Sequence, residues 1–137
     1  MPFKDYLGLD VSAASVSHLT KSFPFPNVRF AVGNVETFRF ERSFDLFLSS
    51  LTLKHLFPTF EVALRNISRS LNPRATLFFD LIEGDWDRWE KDGTYIRCYT
   101  RREVRKLLAR AKLRLKAFDT VKHDPQFIRL LVIAEKP

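Results

Sequence analysis

The amino-acid sequence predicts an α/β fold of six strands, mostly parallel, with an antiparallel pair at the C-terminal end. Three observations predict it. Short apolar runs alternate along the chain with stretches of helical periodicity, the order of βαβ units. The run Thr76–Ile82 is almost continuously apolar, as strands covered on both faces are. The last two apolar runs, Leu115–Val121 and Phe127–Ala134, are separated only by residues 122–126. That is too short for a parallel crossover, so the two runs form a hairpin.

Each element follows from local chemistry. Tyr6–Val11 is a short apolar strand that stops at Ser12, a favoured helix N-cap. Val16, Leu19 and Phe23 then mark one stripe of a helix, which Pro24 and Pro26 end. Val28–Val32 is the second strand, with Gly33-Asn34 as its turn, and Phe44–Leu48 the third, running into Ser49-Ser50. Thr59 is placed to cap a helix whose apolar stripe is Phe60, Ala63, Leu64, Ile67 and Leu71, with Asn72-Pro73 as its stop. Thr76–Ile82 is the fourth strand. Residues 83–99 read as an irregular, partly helical excursion carrying Trp86, Trp89, Tyr95 and Tyr99. Thr100-Arg101-Arg102-Glu103 is a capping box, and Val104, Leu107, Leu108 and Ala111 continue it as a helical stripe. The two closing strands complete the set.

Composition bounds what such a chain does. At 137 residues it has the length of a single domain, 1–137, and buries about two-thirds of its unfolded surface. A mix of 45% hydrophobic and 28% charged residues excludes collagen-like, coiled-coil and disordered classes. One cysteine, Cys98, excludes an internal disulfide, and His18, His55 and His123 stand too far apart for a zinc spacing, so no metal site is expected. No apolar run approaches the ~18 residues of a membrane span, and the first residues carry no signal-peptide core. Cytoplasmic residence without membrane association is the resulting expectation.

The net charge of +7 is concentrated. Residues 97–116 hold nine Lys and Arg against Glu103 alone, a local +8. Such a face is either a solvated helix surface or a contact for RNA or another polyanion. The second case makes the chain a non-catalytic binding module, the alternative to an enzyme.

In order and spacing, these motifs resemble the class I S-adenosylmethionine-dependent methyltransferase family. Leu7-Gly8-Leu9-Asp10-Val11-Ser12 resembles the family's second strand with its terminal acid, and Val32-Gly33-Asn34-Val35-Glu36 the turn after its third. Ser43–Ser50 resembles its fourth strand, and Leu64–Pro73 the helix and turn that lead to its fifth. The closing hairpin matches the reversed last strand of that Rossmann-like sheet. The resemblance implies S-adenosylmethionine as cofactor and a small-molecule methyl acceptor.

The implied cofactor-binding residues are Asp10, Val11, Asn34, Val35, Ser49 and Ser50, all at the carboxyl ends of strands, where open parallel sheets bind ligands. A carboxylate offers only acceptors, so Asp10 suits a ribose diol; it suits equally the start of a helix. Asn34 stands where the family has an acid for the adenine amino group, and it also fits as a turn residue. Val35 would offer its backbone N–H to the ring. Ser49 and Ser50 would border the methionine moiety, or simply end their strand. His55 is the one candidate base, with a packed histidine as the plainer reading. Trp86, Trp89 and Tyr95 would cover a flat substrate, or form a small apolar cluster under a long loop.

The sequence departs from the family in one large respect. It contains no glycine-rich loop: Gly8, Gly33, Gly84 and Gly93 form no G-x-G. The chain opens almost at the family's second strand, so the first helix, first strand and their loop are expected to be absent. The strands that normally flank the missing one would keep unpaired apolar edges, which invite a homodimer through the sheet edge. Arg74 and Lys112 replace glycines that the family uses in turns, a local change only.

Overall fold

The computed structural model describes residues 3–124 and 127–137; Met1, Pro2, Pro125 and Gln126 lie outside the described residues. The chain divides into two compact units, Met1–Arg39 and Phe40–Pro137.

The first unit is one βαβ element. Strand β1 (Tyr6–Asp10), helix α1 (Ala13–Ser22) and strand β2 (Val28–Val32) follow the predicted order. The strands are parallel and in register from Tyr6 opposite Val28 to Asp10 opposite Val32. Ser12 caps α1 by accepting the Ser15 N–H. Aromatic rings hold the layer together: Tyr6 lies edge-on to Phe30 at 5.8 Å, and Phe23 is 6.3 Å from Phe30. Gly8 is required by that packing, since a Cβ there would sit 2.5 Å from the Phe30 ring. None of the described residues of this unit is fully buried. Among the described residues, β1 and β2 pair only with each other, so each keeps an unpaired outer edge.

The second unit is a mixed sheet with two helices. Strand β3 (Phe44–Ser49) leads through a 3-10 turn (Leu53–His55) into α2 (Phe60–Arg69). Strands β4 (Leu71–Glu83), β5 (Asp87–Trp89) and β6 (Tyr95–Tyr99), helix α3 (Arg101–Arg110) and strands β7 (Arg114–Asp124) and β8 (Phe127–Glu135) follow. The sheet order is β5-β6-β4-β8-β7, with β3 also paired to β4. Strand β4 is parallel to β3 and to β6 and antiparallel to β8, and β7 and β8 form the predicted hairpin. The predicted stripes face the core. Phe60, Ala63, Leu64 and Ile67 of α2 and Val104 and Leu108 of α3 are buried, as are Leu77, Phe79 and Leu81 of β4 and Leu130, Val132 and Ala134 of β8. Phe60 joins the layers, its ring 5.8 Å from Phe79 and 5.2 Å from Tyr99.

Three local expectations need correction. Residues 83–99 are not partly helical: β5 and β6 form a hairpin with Trp89 opposite Tyr95 and Arg88 opposite Ile96. Its turn uses Gly93 at φ +82° and an Asp92 carboxylate that accepts the Thr94 N–H. The period-2 burial of Tyr95–Cys98, with Ile96 and Cys98 inward, is the strand signal that the charged neighbours obscured. Helix α2 ends at Arg69, before Asn72-Pro73, because the Ser70 hydroxyl turns back to the Ile67 carbonyl; Asn72 and Pro73 open β4 instead. The Thr59 side chain makes no capping bond.

The capping box of α3 is complete: Thr100 Oγ1 accepts the Glu103 N–H at 3.2 Å, and Glu103 Oε2 accepts the Thr100 N–H at 2.8 Å. Glu103 also pairs with Arg97 at 2.9 Å. Burial raises the Glu103 pKa, but the Thr100 hydrogen bonds, Arg97 and Arg102 together outweigh it and hold the carboxyl below its ordinary value of 4.5. A depressed carboxylate stabilises the fold above its unfolded pKa and loses that contribution as pH falls through the folded one. The stability advantage of the native chain over Glu103→Gln therefore shrinks below pH 4.5. Denaturant titrations at pH 7 and in that acid window check this; an advantage that stays constant contradicts it.

Helix α3 closes with a Schellman turn: Leu113 N–H reaches the Leu108 carbonyl, Lys112 N–H the Ala109 carbonyl, and Lys112 sits at φ 57°. Arg74 is likewise left-handed, at φ 68°. Both turns keep the geometry that glycine favours without having glycine. Lys112→Gly removes the left-handed strain at some cost in unfolded-state entropy, a net gain of about 0.5–1 kcal/mol in unfolding free energy that raises the urea midpoint. An unchanged or lower midpoint contradicts it.

Candidate functional site

Two strand ends in the first unit carry the most chemistry. β1 stops at Asp10, whose Oδ1 accepts the Ser12 N–H at 2.8 Å, so the carboxylate sits at the strand-to-helix turn. β2 stops opposite it, and the Gly33 N–H donates to the Asp10 carbonyl at 2.9 Å. The two ends are thus laced together, which brings Asp10 and Asn34 to one rim. Gly33 is needed for close packing: a Cβ there would meet Phe38 at 2.4 Å and Leu9 at 2.9 Å.

Asn34 builds the turn that follows. Its Oδ1 accepts the Glu36 N–H and its Nδ2 donates to Glu36 Oε2, both at 2.9 Å. The Asn34 carbonyl accepts from Thr37 and Phe38. Glu36 Oε1 is shielded and has no partner. Asp10 Oδ2 also has no hydrogen-bond partner among the described residues. The free acceptors at this rim are therefore carboxylate oxygens of Asp10 and Glu36. Sequence reasoning missed Glu36; its signal was the Asx-turn spacing Asn34-Val35-Glu36. Val35 is half-buried in the same turn, while Val11 is 73% exposed.

Ser49 and Ser50 belong to the second unit. Ser49 is the last residue of β3, opposite Phe79. Ser50 Oγ accepts from Arg129 at 3.2 Å, and Leu51 follows at φ 60°, a left-handed residue held by its N–H to Asp80 Oδ1 at 2.6 Å. Asp80 is 2% exposed and its other oxygen pairs with Arg129. One buried carboxylate thus ties β4, β8 and the loop after β3 together. Neither Asp80 nor Arg129 was singled out from the sequence, although each is the lone charge inside an apolar run, Thr76–Ile82 and Phe127–Ala134.

His55 lies in the 3-10 turn, its Nδ1 3.1 Å from the Tyr95 carbonyl. A carbonyl only accepts, so Nδ1 is the donor in this contact. The aromatic residues of the β5–β6 hairpin form a chain of rings: Trp89 is 5.1 Å from Tyr95, and Tyr95 5.6 Å from Phe57. Trp89 is 72% exposed, while Trp86 leans on Phe127 at 5.8 Å with Arg88 beside it. Tyr95 Oη donates to Asp87, and that bond raises its pKa. Cys98 is buried, its thiol pushed up to about 11 by burial, and so is an inert packing residue.

Much of the basic segment is neutralised locally. Arg97 pairs with Glu103, Arg101 with Glu83, Arg110 with Glu61, and Arg114 and Lys116 with Glu135. Arg101 and Arg105 also lie over the Phe118 ring. No helix among the described residues is long and apolar enough to cross a membrane.

This geometry has relatives. The chain is similar to a S-adenosylmethionine-dependent methyltransferase from Methanosarcina mazei, at TM-score 0.79 and 16% identity over 95% of this chain and 81% of that one. It is similar to the 1,6-didemethyltoxoflavin-N1-methyltransferase of Burkholderia thailandensis, solved with 1,6-didemethyltoxoflavin and S-adenosylhomocysteine bound (TM-score 0.80, 23% identity, 95% of this chain and 60% of that one). The [4+2]-cyclase SpnF has the same fold at TM-score 0.78 and 16% identity, covering 97% of this chain and 67% of that one. At these identities the likeness concerns fold. No curated protein sequence matches the chain. The sequence model of the methyltransferase domain family matches residues 1–79, which include β1, the Gly33-Asn34 turn, β3 and α2. The chain belongs to the methyltransferase domain family.

Proposed function

We propose that the chain binds S-adenosylmethionine through the rim formed by Asp10 and the Asn34–Glu36 turn, and serves methyl transfer to a small molecule. The observation that carries this is the pair of free carboxylate oxygens, Asp10 Oδ2 and Glu36 Oε1, at the joined carboxyl ends of two parallel strands. The residues present fit the cofactor: a ribose diol and an adenine amino group are donors, and these two atoms are acceptors. When bound, the cofactor supplies an electrophilic methyl group. Asp10 would hold the ribose while its Oδ1 stays on the Ser12 N–H. Asn34 fixes the Glu36 carboxylate, and Val35 lies between them in the turn.

Methyl transfer is a displacement governed by placement, and a nucleophile already carrying a lone pair needs no base. A small-molecule acceptor agrees with the 1,6-didemethyltoxoflavin bound by the Burkholderia thailandensis methyltransferase. The buried, unpaired Cys98 suits a reducing cytoplasm. Among the described residues β1 pairs only with β2 and β3 only with β4, and such open edges suit pairing with a second copy.

Calorimetric titration of the chain with S-adenosylhomocysteine tests the reading. Saturable heat at micromolar to millimolar ligand is expected, and none at millimolar concentration overturns it.

A further inference from the structure

The second unit has a groove that neither Ser49 nor Ser50 lines, with a volume of about 230 Å³. Its apolar walls include Phe57, Phe60, Tyr99 and Leu107, and Arg97 and Lys106 also line it. Two donors in these walls are unsatisfied. The Tyr99 hydroxyl and Arg97 Nε are both shielded from solvent, and neither has a hydrogen-bond partner. Tyr99 is only 4% exposed, and burial pushes its phenol up to about 12, so it remains a donor at any working pH. Buried polar groups are nearly always paired, and an orphaned donor costs stability that a better-packed Phe would avoid. Two orphaned donors in the walls of one cavity call for an acceptor that arrives from outside.

Charge narrows the acceptor. Glu61 is shared by Arg65 and Arg110, and Glu103 is taken by Arg97 and the Thr100 cap. Lys106 alone among the cations of the groove has no ion-pair partner among the described residues. The groove is therefore positive in sum, with an ammonium to spare. Size narrows the body. An apolar cavity of about 150 Å³ holds benzene, and this groove is somewhat larger and walled by rings. The Phe57 ring lies over the Arg97 guanidinium at 5.1 Å and is itself 48% exposed.

We propose that this groove binds a small molecule bearing a carboxylate on a single-ring apolar body. Lys106 meets its charge, and Tyr99 and Arg97 donate hydrogen bonds to it. The site is independent of the proposed cofactor rim, so it is tested without cofactor.

The test is a titration of the full chain with benzoate, followed by calorimetry or amide chemical shifts, with benzamide as the neutral probe. Benzoate is expected to bind saturably and about tenfold tighter than benzamide, as a charge-assisted bond is stronger than a neutral one. Lys106→Gln is expected to remove that preference. Tyr99→Phe is expected to weaken benzoate several-fold while the melting temperature holds or rises, a combination that a merely structural tyrosine does not give. Equal binding of the two probes, no saturable binding at millimolar benzoate, or affinity unchanged in both variants overturns the proposal.

Discussion

Replacing Asp80 by Ala is expected to destabilise the second unit by about 3–5 kcal/mol, because it leaves a charged partner without its counter-charge. Asp80 is 2% exposed and has two obligations. Its Oδ1 accepts the N–H of Leu51, and its Oδ2 pairs with Arg129. Without the carboxylate, Arg129 loses its main partner while its Nε already has none, and keeps only the 3.2 Å contact to Ser50. Leu51, at φ 60°, loses the bond that holds it in a left-handed conformation. For a chain of this length the melting temperature falls by about 10 °C or more. The double variant Asp80→Leu with Arg129→Met removes both charges and is expected to recover most of the loss, since a hydrophobic pair of similar volume replaces a buried ion pair at little cost. What remains is the orphaned Leu51 N–H, about 1–2 kcal/mol. Thermal unfolding of the native, single and double variants measures this. A single variant that melts within a few degrees of the native chain contradicts it.

The largest functional effect is expected at Asp10. Asp10→Ala should weaken S-adenosylhomocysteine about 10- to 100-fold, the worth of a charge-assisted hydrogen bond to a ribose diol. Alanine also removes the acceptor for the Ser12 N–H, so a loss of affinity alone leaves two causes open. Asp10→Asn separates them. An amide oxygen keeps the Ser12 bond and the start of α1 but has no charge, so Asn is expected to fold like the native chain and bind with intermediate affinity. Calorimetric titration of all three proteins, with circular dichroism for the fold, checks it. Native affinity in Asp10→Ala contradicts the assignment.

What was legible in the sequence was whatever depends on periodicity and capping. The Ser12 cap, the Thr100 capping box and the α2 and α3 stripes rest on local spacing and appear, except that Leu71 of the α2 stripe opens β4. The shared rim of Asp10 and Asn34 was legible as strand ends, because parallel strands end on the same side. The rest depends on partners distant in sequence. The β5–β6 hairpin was hidden because charges fall on both of its faces: Asp87 and Arg97 beside Trp89 and Tyr95 on one, and Arg88 opposite Ile96 on the other, which dilutes the alternation. Glu36 was missed because its role comes from two bonds to Asn34 that composition does not reveal. Asp80 and Arg129 meet only when β4 and β8 pair antiparallel, with Asp80 opposite Leu131 and Ile82 opposite Arg129. The basic segment, prominent as a count, lost most of its distinctiveness once Glu61, Glu83, Glu103 and Glu135 were found beside it.

The most direct measurement omits the feature that Asp10 is held to recognise. Amide chemical shifts of the chain are followed while adenosine, and separately 2′,3′-dideoxyadenosine, is added. Adenosine is expected to bind with shifts at Asp10, Ser12 and the Asn34–Glu36 turn, and the dideoxy compound to bind at least about tenfold more weakly. Equal binding of the two nucleosides, or shifts that leave that rim unmoved, would contradict the account.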